Sequence, residues 1–88
     1  MSSHQETLAA INSALPKCGD YQAVMLHATN LAEEIKQKVG AAVGETALYE
    51  AAKAPIEAMQ VSAAAAAAAG QEMREALISI QRGLQRMG

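Results

Sequence analysis

The chain has no tryptophan and no phenylalanine, and its only aromatic residues are Tyr21 and Tyr49. The largest part of its 51% hydrophobic share is alanine, which contributes helix propensity and close approach rather than buried area. A chain of 88 residues buries only about 60% of the surface it exposes when unfolded. A monomer is therefore short of hydrophobic stabilisation, and a partner chain or self-association is expected to supply part of it. The single cysteine, Cys18, excludes an internal disulfide and makes a reduced cytoplasm the default at synthesis. Neither sign of charge dominates: seven Lys and Arg against nine Asp and Glu give a net charge of -2. That balance offers no electrostatic footprint for nucleic acid or an anionic membrane. Long apolar runs are missing too. The stretch Val61 to Gly70 contains Ser62 and is flanked by Glu57, Gln60, Gln71 and Glu72, whereas a membrane span needs about 20 residues. Met1 to Glu6 has no basic start and no apolar segment follows it, so no cleaved leader is expected; export by a leaderless route stays open.

What is present is helical phase. Ile56, Met59, Ala63, Ala66, Gly70, Met73, Leu77, Ile80, Leu84 and Met87 alternate steps of three and four residues with no charged member. Such a seam belongs to a helix that packs along its length, and these ten residues are the candidate interface. Within it, Ala63 to Gly70 forms a waist of small residues that lets a neighbour approach closely; Gly70 either leaves room for a larger side chain or is a tolerated neutral glycine. Met73 to Met87 carries most of the apolar bulk.

Upstream, Ser3 and Glu6 have capping-box spacing, and Leu8, Ile11 and Leu15 mark one face. Pro16 lacks an N–H and argues for a break or kink over Pro16 to Asp20, with Asp20 as the next N-cap. Val24, Ala28, Leu31, Ile35 and Val39 resume an amphipathic phase, and Glu34 and Lys38 pair on its outer face. The phase fits either a broken arm or one kinked helix from about His4 to Val39. Gly40 and Gly44 predict a left-handed C-cap and a reversal of direction. Thr46 is the next cap, and Tyr49 and Ala52 extend the later seam backwards. Pro55 either separates residues 46–53 or bends the last helix. The expected fold is all-α: an antiparallel helical hairpin with arm one at about 4–39, a turn at 40–45 and arm two at about 46–87. Pairing of two hairpins would close a four-helix bundle.

No residue pattern identifies a reaction. His4, Cys18 and His27 are too widely spaced for a metal or redox site. Glu33 and Glu34 are adjacent and diverge on a helix, while Glu72 and Glu75 read as solvated surface. The two glycines of the turn are not followed by the Lys-Ser/Thr of a phosphate loop. Arg82 and Arg86 complement the helix C-terminus or, with Arg74, form a basic rim around a partner site. Met59, Met73 and Met87 suit an adaptable packing surface. No catalytic, cofactor or metal residues are assigned, and no small-molecule substrate is expected.

Two arms of 35 to 40 residues around a glycine-bearing turn resemble the Trp-X-Gly family of helical hairpins exported by type VII secretion systems. The turn segments are Lys38-Val39-Gly40 and Ala42-Val43-Gly44; each supplies the glycine and neither the tryptophan. The family's Tyr-x-x-x-Asp/Glu export signal is absent, because Tyr49 is followed by Lys53 and no tyrosine follows Gly70. The composition also resembles small alanine-rich helical proteins of actinobacteria, and type III needle and rod subunits share the size and shape. The resemblance implies a non-enzymatic helical interaction module, secreted or secretion-associated. Its partner would be itself or a homologous hairpin. A structural subunit or adaptor of a multi-copy assembly is the alternative.

Overall fold

The computed structural model describes residues 3–87. Two long helices account for nearly all of them: α1 spans Ser3–Val43 and α2 spans Glu50–Met87, joined by a short 3-10 turn at Ala47–Tyr49. They fold back on each other as an antiparallel hairpin 65 Å long and 14 Å by 13 Å in section. The radius of gyration is 19.8 Å, against about 12 Å for a compact domain of this length. Among the described residues no helix is long and apolar enough to cross a membrane.

α1 is unbroken through Pro16, so the break at residues 16–20 does not occur and Asp20 is a helix-interior residue rather than a cap. Proline removes the bond to the Asn12 carbonyl, but both residues are exposed, so the freed carbonyl is accessible to solvent. The packing column on the opposite face continues on either side, and that contact keeps the helix going. Pro16→Ala should consequently raise the stability of the hairpin by up to about 3 kcal/mol, read as a higher urea midpoint by circular dichroism. An unchanged midpoint would mean that the helix had already absorbed the defect. α1 begins at Ser3, the first described residue, and the residues that precede it lie outside the described residues.

The reversal uses hydrogen bonds rather than a left-handed glycine. No described glycine has a positive φ, which corrects the expected C-cap. The Gly44 N–H donates to the Gly40 carbonyl at 2.9 Å and the Thr46 N–H to the Val43 carbonyl at 3.0 Å. Glycine is required at 44 because a Cβ there would overlap the Gly40 carbonyl oxygen. Thr46 is the cap expected of it: its hydroxyl donates to the Val43 carbonyl at 2.8 Å and accepts from the Leu48 N–H at 3.2 Å. The 3-10 turn then runs straight into α2, which carries Pro55 inside it, so residues 46–53 are not a separate element.

Burial follows a spacing of seven. On α2 the buried residues are Ile56, Ala63, Gly70 and Leu77, with Leu84 half-buried one heptad on. On α1 the facing column is Ile11, Cys18, Met25, Ala32 and Val39, of which Cys18 and Ala32 are buried and the others half-buried. The column has no aromatic residue and is interrupted by Cys18, Ala32, Ala63 and Gly70, and among the described residues no side chain is buried to below 2% exposure. Small facing residues let the two backbones approach, at the expense of apolar area.

Candidate functional site

Once the buried column is set, each helix has two flanks, and they differ in chemistry. One flank is tied across the hairpin by side-chain hydrogen bonds, with Leu15 and Ile78 half-buried beside them. Gln81 donates to the Asn12 side-chain oxygen, Gln22 donates to Gln71 at 3.0 Å, and Gln60 donates to the Glu33 carboxylate at 2.9 Å. From Asn12 to Gln22 and from Gln81 to Gln71 is ten residues each; from Gln22 to Glu33 and from Gln71 to Gln60 is eleven each. The helices therefore stay in constant register along most of the rod.

The other flank is apolar. α1 contributes Tyr21, Ala28 and Ile35, with Val24 and Leu31 outside them; α2 contributes Met59, Ala66, Met73, Ile80 and Met87, with Pro55, Ser62, Ala69, Ala76 and Gly83 outside them. No residue of these two α2 columns is charged, and on α1 the charges are Lys17 and Lys38 at the outer margin. Eleven large apolar side chains are exposed among the described residues, and eight of them, Tyr21, Val24, Leu31, Ile35, Met59, Met73, Ile80 and Met87, lie on this flank. That concentration separates the flank from scattered surface apolarity, which is ordinary. Two open grooves run along it, one of about 540 Å³ including Ala28, Leu31, Ile35, Met59 and Ala66 in its lining, the other of about 370 Å³ over Cys18, Tyr21, Ala69, Gly70 and Met73.

The ten seam residues thus have two fates. Ile56, Ala63, Gly70, Leu77 and Leu84 turn toward α1 and close the hairpin. Met59, Ala66, Met73, Ile80 and Met87 turn outward onto the flank, with Met73 51% and Met87 77% exposed. The room at Gly70 is filled from within the chain: a Cβ there would stand 2.8 Å from Tyr21 Cδ1 and 3.1 Å from Gln22 Cγ. A tyrosine ring lies over the glycine, so Gly70 itself packs against α1 of the same chain.

Sequence periodicity named Ile11 and Val39 of the inner column of α1 and passed over Met25 and Ala32 between them. Val24, Leu31 and Ile35 are the more hydrophobic residues, yet they are 59%, 44% and 42% exposed. The available signal was the uninterrupted spacing of seven from Ile11 to Val39, carried between its ends by Cys18, Met25 and Ala32. Of the groups weighed for chemistry, Cys18 is buried, His27 is exposed and His4 is half-buried. Among the described residues no cluster of three His, Cys, Asp or Glu side chains could hold a metal ion. Arg74, Arg82 and Arg86 share an open cleft with Ile78 and Ser79 on the outer surface of α2. Arg74 and Arg82 also border the polar side with Asn12 and Pro16, away from the apolar flank. No protein-family model matches the chain, and no curated protein or solved structure is detectably similar to it.

Proposed function

We propose that the protein is a non-enzymatic helical interaction module whose working surface is the apolar flank. The observation that carries this reading is the gathering of eight exposed large apolar side chains on one side of a rod whose other side is tied by side-chain hydrogen bonds. Exposed apolar area of this extent is stabilised only when something covers it. A hairpin presenting paired ridges of Met, Ile and Leu fits another amphipathic helix or helix pair, packed ridge into groove. Methionines at 59, 73 and 87 adapt their shape to such a surface. The module acts by binding, and its specificity lies in which helical face matches the spacing of the flank.

The test is site-specific photo-cross-linking in cells. A photoreactive residue placed at Met73 should give discrete protein adducts, to this chain or another, whereas the same residue at Glu75, on the far side of α2, should give few. Equal yields at the two positions would overturn the assignment of the surface.

A further inference from the structure

We propose that the flank is covered by a second copy of this chain, related by a two-fold axis parallel to the rod, with both turns at the same end. This rests on the interaction-module reading and names the partner. The surface area supports it first. The isolated hairpin exposes 6163 Å², whereas a compact monomer of this size exposes roughly 4,900 Å². A face 65 Å long and 14 Å wide has a footprint on the order of 900 Å², which meets the roughly 800 Å² per partner of a stable interface.

The register supplies the geometry. Two residues on from Gln22 is Val24, and two back from Gln71 is Ala69; the same step from Glu33 and Gln60 makes Leu31 level with Ser62. A two-fold along the rod keeps every level and lays α1 of one copy over α2 of the other. Val24 then meets Ala69 of the partner subunit, and Leu31 meets Ser62 of the partner subunit. Large side chains on the outer column of α1 face small ones on the outer column of α2, the pairing that interdigitation needs. A two-fold across the rod instead sets α1 on α1 and α2 on α2. Val24 and Leu31 would crowd one another there, and Ala69, Ser62 and Ala76 would leave a void. Charge agrees with the first arrangement. No charge is buried between the α2 columns, and Lys17 at the margin comes within about one helical turn of Glu72 of the partner subunit.

Light scattering after gel filtration of the full chain at micromolar concentration should give twice the monomer mass; a monomer overturns the second-copy assignment. The axis is tested by mixing Val24→Cys and Ala69→Cys chains, each in a Cys18→Ser background, under mild oxidation or with a short bismaleimide. The expected product joins one of each kind, in several-fold excess over like-with-like products. Predominantly Val24→Cys homodimers would overturn the axis. If Cys18→Ser lowers helicity, the same mixture with the buried Cys18 retained, scored by peptide mass, reads the same outcome. An Ile35→Glu, Met73→Glu double variant should stay helical and weaken dimerisation at least 100-fold; an unchanged dimer overturns the flank as the interface and the interaction-module reading with it. A chain that is monomeric alone but cross-links through Met73 to a different protein overturns only the self-pairing.

Discussion

Leu77→Asp is expected to unfold the hairpin and with it any assembly, seen as loss of most helical signal at 222 nm in circular dichroism at 25 °C. Leu77 is 5% exposed and is the largest side chain besides Ile56 on the fully buried part of α2. Removing it from a core costs about 2–5 kcal/mol, and leaving a carboxylate between two apolar helices adds a desolvation penalty of similar order. Domains of this length have only about 5–15 kcal/mol in hand, and the thin column described above places this chain low in that range. Met73→Asp, four residues earlier on the same helix, is the control. Met73 is 51% exposed on the flank, so its replacement should leave helicity largely intact and abolish association. Equal loss of helicity in the two variants would mean that the flank and the column form a single core that exists only in the assembly.

The second large effect is at the waist. Gly70→Leu should destabilise the hairpin by about 2–3 kcal/mol, because the added side chain occupies the space of the Tyr21 ring and the Gln22 stem and forces the helices apart. Gly70→Ala is the more informative change. Alanine gains about 1 kcal/mol of helix propensity over glycine, while its Cβ displaces the ring. In the presence of Tyr21 the two effects oppose each other, and the variant should be neutral or destabilised. In a Tyr21→Ala background the main obstruction is gone and only the flexible Gln22 stem, with Cγ 3.1 Å away, has to give, so Gly70→Ala should stabilise by up to about 1 kcal/mol. The coupling between the two positions, measured from four urea unfolding curves, is expected at about 1–2 kcal/mol. Additive effects would show that the ring does not rest on the glycine in solution.

Much of this protein is legible in its sequence. Alanine content, alternating steps of three and four, and a glycine-bearing break in the middle specify two long helices folded against each other, because helix propensity and phase are local quantities. Thr46 as a cap is equally local: a hydroxyl just before a helical run satisfies a free N–H wherever it occurs. The same local logic left Pro16 open between a break and one continuous helix. The continuous helix is what forms, because the cost of one missing hydrogen bond is outweighed by packing on both sides, a contribution that comes from the other arm. It failed on α1, where hydrophobicity favours Val24, Leu31 and Ile35, yet Cys18 and Ala32 are the buried residues. Spacing along one helix shows which residues share a stripe, but not which half of a wide stripe meets the neighbour. That choice depends on how closely two backbones can approach, and approach is set by the smallest side chains on both at once. The sequence by itself determined that α2 carries an uncharged seam from Ile56 to Met87. Only the tertiary structure divided it, because the small residues of two facing helices together fix their separation and turn the larger side chains outward onto a common flank.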